Sequence, residues 1–331
     1  STPLFSGAPS EQRPLVELVV MASRTEAGAE RFGTVAKAYP AQALLARLGM
    51  RRRREMWEAY LPQPLQIGSP ASPDASDAPD GMGAIRLNGR VWTLSQQAQG
   101  CRWVQHGLQS ASTEDERIAL AQELRGHVFE ACTSPHANHV LQRCIETVNP
   151  EALDFVVDEM MAASVSLIAR HKYGCRVVQR LVERFSPSEI RPIVDHVLED
   201  IGGFSCHPYG TYVVQNLLLH GTAENRWRIL QFVAGNFATL CAVPHGCSAA
   251  ATAMAWMSPK ERRDCFEGLL AEPRRLTAMA SSRPGASLLV RAFDELCMPQ
   301  CRRLAALLSE SAQAIDGSPY GRCIIDCLER L

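Results

Sequence analysis

From about residue 84 onward, apolar residues recur at helical spacing, and the clearest stretch is His171 to Glu183. Val178, Leu181 and Val182 fall on one stripe, so the pattern predicts an amphipathic helix with a buried back, entered through a Tyr173–Gly174 turn. Cys175 and Gln179 are four apart and stand one above the other on the opposite face. Arg176 flanks them, rotated by about 100°. A small group, a flat cation and a carboxamide thus project together. A core does not need that trio, but a reader of flat polar ligands does.

The trio recurs in Cys101, Arg102 and Gln105, in Asn138, His139 and Gln142, and in Thr211, Tyr212 and Gln215. The first polar residues fall at 101, 138, 175 and 211, in steps of 37, 37 and 36. A fixed period in this range is the mark of a stacked helical array. Helix-cap signals run on the same period: Thr113 with Glu116, Asn149 before Pro150, Ser186 with Glu189, Thr222, and Ser258 with Glu261. They carry the array past the last full trio, to Cys247, Ser248 and Ala251, then Ala286, Ser287 and Val290, then Tyr320–Gly321–Arg322. Seven repeats are visible. The last three lack the trio, and Arg322 and Asp326 are spaced to pair with each other.

These segments resemble the RNA-facing helices of Pumilio-type (PUF) repeats, over roughly residues 90 to 331. The resemblance implies an all-α, curved solenoid of about 36-residue repeats with its reading helices on the concave face. It implies sequence-selective binding of single-stranded RNA, as in mRNA 3′ UTRs, and control of mRNA stability or translation. On that pattern Cys101, Gln105, Asn138, Gln142, Cys175, Gln179, Thr211 and Gln215 are base-edge residues, and Arg102, His139, Arg176 and Tyr212 are stacking residues. Asn138 with Gln142 matches the family's uracil-reading pair, and each Cys–Gln pair its adenine-reading type. The family binds RNA antiparallel, so repeats three to one imply 5′-A-U-A-3′. The base opposite Thr211 and Gln215 stays open. The family usually carries eight repeats, one more than is visible, and the loss of readers in repeats five and six puts a UGU-type 5′ element in doubt.

The N-terminal region reads differently. Residues 1 to 61 mix short apolar runs with the Arg51–Arg54 patch, which reads as a solvated helix face or as a nuclear signal or phosphate clamp. Residues 62 to 83 are rich in Pro, Ser, Asp and Gly and read as a disordered linker ahead of the repeat domain, 84 to 331. The chain opens on Ser1, as a fragment or a processed chain would.

Composition refines this picture. Of 331 residues, 46% are hydrophobic and 21% charged, and net charge is -1, so RNA contact has to come from a local groove and base stacking. The twelve cysteines form no CxxC pair and read as reduced thiols of an intracellular, cytoplasmic or nuclear, protein. The N-terminus shows no signal-peptide pattern, and no apolar run approaches the roughly 18 residues of a membrane span. Cys241, His245 and Cys247 lack a fourth ligand, so no metal or cofactor is expected. Cys297 with Cys301, and Cys323 with Cys327, are spaced to face a helix core. No phosphate loop, GxSxG or HExxH marks an enzyme. Two other readings remain: a nucleolar PUF-like ribosome-assembly factor, and a protein-binding scaffold of the HEAT or armadillo kind.

Overall fold

A computed structural model describes residues 86–328, apart from the side chains of residues 326 and 327. The segments 1–61 and 62–83, and the pairings of Arg322 with Asp326 and Cys323 with Cys327, lie outside the described residues. Every described regular element is a helix. The first unit holds α1 (Val91–Ser95), α2 (Ala98–Ser110) and α3 (Glu114–Gln122). The second holds α4 (Val128–Thr133), α5 (Ala137–Thr147) and α6 (Asp154–Ala163), the last entered through a 3-10 turn at Pro150–Leu153. The third holds α7 (Val165–Ala169), α8 (Gly174–Arg184) and α9 (Arg191–Glu199).

In the fourth unit α10 (Ile201–Cys206) and α11 (Gly210–His220) precede α12 (Ala223–Leu240). A kink at Asn236 (φ -123°, ψ 17°) lets the last turn of α12 serve as the short helix of the fifth unit, ahead of α13 (Pro244–Met254) and α14 (Pro259–Leu269). The sixth unit holds α15 (Pro273–Ala280), α16 (Arg283–Glu295) and α17 (Met298–Glu310). α18 (Ala312–Ile315) and α19 (Pro319–Leu328) follow as the seventh. The middle helices α2, α5, α8, α11, α13, α16 and α19 pack each on the next and form one continuous layer of a curved solenoid.

The stripe read from sequence is the buried one. Val104, Leu108, Val140, Leu141, Val177, Val178, Leu181, Val213, Val214 and Leu217 are essentially inaccessible. Full burial of each such side chain is worth about 1.5–3 kcal/mol. α13 fills the same layer with Ala249, Ala250, Ala253 and Met254. Within the first two units a carboxylate ties the outer helix to the start of the inner pair. Glu123 accepts from the Gly89 and Val91 amides at 2.6 and 2.8 Å, and Glu159 from those of Gly126 and Val128 at 2.6 and 3.1 Å. The third unit uses Ser166 Oγ and His196 Nε2, 2.8 Å apart.

Most cap signals hold. Thr113 with Glu116 and Ser258 with Glu261 form capping boxes, Thr222 caps α12, and Asn149 caps the 3-10 turn. Two expectations need correction. Ser186 with Glu189 is only half a box: Glu189 accepts from the Ser186 amide at 2.7 Å, while Ser186 Oγ meets Ser188 Oγ at 3.0 Å. Pro192, in the first turn of α9, sets the helix start later. Cys297 does not face a core; it is exposed, because it stands outside the helix as the N-cap of α17, and Cys301 alone is buried.

A glycine precedes the first edge residue in six of the seven units: Gly100, Gly174, Gly210, Gly246, Gly285 and Gly321. At each, an added Cβ would run into the backbone carbonyl of the short helix before it; at Gly210 it would lie 2.9 Å from the Phe204 oxygen. Only a bare Cα lets the two helices approach so closely. Gly174→Ala should therefore destabilise by about 1–3 kcal/mol in urea denaturation. Gly235→Ala, exposed within α12 with nothing near its Cβ, should instead stabilise by up to about 1 kcal/mol.

Candidate nucleic-acid interface

In five of the seven units, the second, third, fourth, sixth and seventh, the turn into the middle helix is closed by a side chain four residues before the first edge residue. Ser134 Oγ accepts from the His136 and Ala137 amides at 3.2 and 3.0 Å. His171 Nδ1 accepts from the Tyr173 amide at 3.3 Å, and His207 Nδ1 from those of Tyr209 and Gly210 at 3.2 Å. Ser282 and Ser318 do the same for Gly285 and Gly321 at 3.2 and 2.8 Å. Where both are present, in units three, four, six and seven, cap and glycine together fix where the helix starts and how it is rotated.

That rotation brings the sequence-predicted residues into one repeated arrangement. In each of the first four units the glutamine Nε2 donates back one turn. Gln105 and Gln179 reach the Cys101 and Cys175 carbonyls at 3.1 and 2.9 Å. Gln142 reaches Asn138 Oδ1 at 2.9 Å, and Gln215 reaches Thr211 Oγ1 at 3.0 Å. The amide oxygen is thereby turned away from its own helix.

The four units differ in what that oxygen meets. Gln179 is 1% exposed, and its Oε1 is buried without any partner. A buried acceptor left unpaired costs on the order of 1–3 kcal/mol and is relieved by a donor. The Gln215 oxygen is instead closed by Thr252 Oγ1 of the fifth unit, 3.3 Å away, while Thr211 Oγ1 donates to the His245 carbonyl at 3.2 Å. The expected pair of the fourth unit is therefore in place but occupied within the protein. Gln105 and Gln142 are half-buried. Burial pushes the Cys175 thiol up to about 11, and that of Cys101 also upward, so both stay as neutral S–H groups.

The stacking residues share the layer. Arg102 is exposed, and His139, Arg176 and Tyr212 are half-buried. The Arg176 guanidinium lies 5.3 Å from the Tyr212 ring centre, a cation–π contact between neighbouring units. Burial, helped by His136, lowers the His139 pKa and keeps that ring neutral. In the fifth unit nothing equivalent is free: Ser248 Oγ is spent on the Pro244 carbonyl, and Cys247 is buried. Among the described residues no group of three or more His, Cys, Asp or Glu side chains is placed to hold a metal, and no helix is long and apolar enough to cross a membrane.

Sequence reading missed a polar ladder behind the edge residues. Arg180 reaches back to Glu146 of the preceding unit at 3.3 Å and also pairs with Glu183. Asn216 Nδ2 reaches back to Glu183 at 2.9 Å, and Arg143 pairs with Glu146 at 3.0 Å. These positions fall five and eight residues after the first edge residue, a regularity present in the sequence at 143, 180 and 216 and at 146 and 183.

The described residues thus form a helical solenoid that repeats one polar layer unit by unit. The sequence model for the Pumilio-family RNA binding repeat matches residues 90–125, 127–161, 164–198 and 201–233. These four segments are thereby assigned as Pumilio/PUF-type repeats. The chain is 22% identical over 237 residues to the "Pumilio domain-containing protein C6G9.14" of Schizosaccharomyces pombe, covering 72% of this chain and 34% of that protein. It is 25% identical over 114 residues to the "Pumilio homology domain family member 4" of Saccharomyces cerevisiae, 34% of this chain and 13% of that protein. The chain thus spans about a third or less of the length of these relatives. Among solved structures, PUF-8 in complex with PBE-RNA superposes with a TM-score of 0.61 at 24% identity, over 74% of this chain and 72% of that one. At these identities the structural likeness establishes the fold alone.

The His207 cap makes stability depend on pH. Burial, Arg170 and His245 hold the His207 pKa below its ordinary 6.5. Its unfolded form therefore takes up the proton first. Stability is full above about pH 6.5 and falls as pH drops below it. Chemical denaturation between pH 7.5 and 5.5 should show this fall, and His207→Ser, which keeps a cap of the kind seen at Ser134 and Ser282, should make it shallower.

Proposed function

We propose that the chain binds single-stranded RNA along its middle-helix layer, one nucleotide per unit, and that units one to three read base edges. The observation that carries this is the buried, unpartnered Oε1 of Gln179, one turn after the neutral Cys175 thiol on the same helix. An acceptor in that place suits an exocyclic amino group, as on adenine. Asn138 and Gln142 combine donors and acceptors, as the two-sided edge of uracil requires. Cys101 and Gln105 repeat the Cys–Gln pair. Arg102, His139, Arg176 and Tyr212 supply stacking planes, each worth about 1–3 kcal/mol per base.

With the antiparallel polarity of the family, units three to one select 5′-A-U-A-3′. The family match supports RNA binding without chemistry of its own. Several solved relatives are titled as bound to RNA 3′ UTR recognition sequences, such as that of Cox17. On this footing the chain acts on mRNA, in the cytoplasm, by recruiting or excluding other factors.

A random-library RNA selection on the chain tests the reading. Enrichment of AUA-containing single strands is the expected result. Unselective or structured-RNA binding would favour a ribosome-assembly role, and no RNA retention would favour a protein-binding scaffold. Asn138→Ser should move the preferred base opposite unit two from uracil toward adenine, by about tenfold in relative affinity. An unchanged preference would remove the unit-by-unit scheme.

A further inference from the structure

We propose that Thr252 silences the fourth unit: it is a positioning residue of the fifth unit that occupies Gln215 and so ends base-edge reading at unit three. The inference rests on the RNA-binding reading above.

Each of the four glutamines donates Nε2 one turn back, Gln105 and Gln179 to a carbonyl and Gln142 and Gln215 to a side-chain oxygen, and for Gln215 the group that meets the amide oxygen comes from the following unit. The position five residues after the first edge residue holds Arg143, Arg180, Asn216 and Thr252 in units two to five, and the last three each bond a residue of the preceding unit. The first three are held by carboxylates. Glu146 holds Arg143 and Arg180, and Glu183 holds Arg180 and Asn216. They are drawn toward the ladder, so Gln179 keeps a free oxygen.

The ladder stops at the fourth unit. Where Glu146 and Glu183 stand in units two and three, unit four has Leu219, 44% exposed. Thr252 therefore finds no carboxylate. Its hydroxyl carries one proton, placed between the Ser248 carbonyl at 3.1 Å and Gln215 Oε1 at 3.3 Å. The network closes on the other side as well. Gln215 Nε2 donates to Thr211 Oγ1, and Thr211 Oγ1 donates to the His245 carbonyl. The Gln215 oxygen thus shares the one Thr252 proton, whereas the Gln179 oxygen has no donor from the protein. A base arriving there has to break protein hydrogen bonds and gains no net recognition. Tyr212 remains half-buried beside Arg176, so the unit keeps its stacking plane. Unit four then holds a base by its face and is indifferent to its identity.

The test uses the full chain and four RNA probes, U4-N-A-U-A-U4, with N each of the four bases, in competition binding. Wild type should bind all four within about threefold. Thr252→Val removes the hydroxyl at nearly constant shape and exposes the Gln215 oxygen. It should favour N = A or C, whose edges carry an exocyclic amino donor, over U by about tenfold. Thr252→Ser, which keeps the hydroxyl, should restore the flat profile. A merely structural role would lower all four affinities together and leave their ratios unchanged, which would overturn the proposal. So would a wild type that already separates the four probes tenfold.

Exchange of the Gln215 side-chain amide protons, followed by NMR without RNA, reads the closure itself. It should be slow in wild type and Thr252→Ser and faster in Thr252→Val. Equal rates in all three would contradict the closure even if RNA is bound. Slow exchange with no binding of any probe would instead overturn the RNA reading while leaving the closed network standing.

Discussion

The interface depends on the close approach of each middle helix to the short helix before it. At Gly174 the backbone of α8 comes so near the Ile168 carbonyl that no side chain fits between them. This contact, with the His171 cap one turn earlier, fixes the rotation of α8 about its axis. Rotation decides which residues meet the core and which meet the layer. A turn of about 100° would exchange one residue for the next around the helix. The same glycine recurs in units that have lost their edge residues, at Gly246, Gly285 and Gly321. The scaffold is thus constrained independently of what it displays, and units can lose recognition chemistry without losing the fold.

Within the layer, the decisive issue is which polar groups are satisfied by the protein itself. A cysteine at the first edge position offers no side-chain oxygen, so Gln179 donates to the Cys175 carbonyl and its own oxygen is left over. A threonine there offers a hydroxyl, which ties Gln215 to its neighbours. The carboxylate ladder decides the rest. Partly buried pairs such as Arg180 with Glu146 and Glu183 contribute less to net stability than their number suggests, because desolvation offsets much of the attraction. Their clearer effect is to hold Arg180 and Asn216 on the carboxylates Glu146 and Glu183.

Much of the fold was legible in the chain. The period of Cys101, Asn138, Cys175 and Thr211, and the caps at Thr113, Thr222 and Ser258, placed the middle and outer helices in register. The short helices were not individually legible, because four to eight residues carry too little periodicity, and one of them is only the last turn of α12 beyond Asn236. For the candidate site, the sequence names residues and is silent on how their polar groups pair. Nothing in the spacing of Thr211 and Gln215 distinguishes them from Cys175 and Gln179. The difference lies in Thr252, 37 residues away from Gln215 in sequence and one hydrogen bond away in space. Cys297 failed for a related reason: i,i+4 spacing to Cys301 places two residues on one face only if both are inside the helix.

The account stands on the Gln179 oxygen as a base-edge acceptor. A structure of the chain bound to an RNA carrying 5′-A-U-A-3′ tests it most directly. The expected result is an adenine edge with its exocyclic amino nitrogen about 3 Å from Gln179 Oε1 and its face on Arg176. RNA bound elsewhere on the solenoid, or along this layer with the Gln179 oxygen still unpaired, would contradict it.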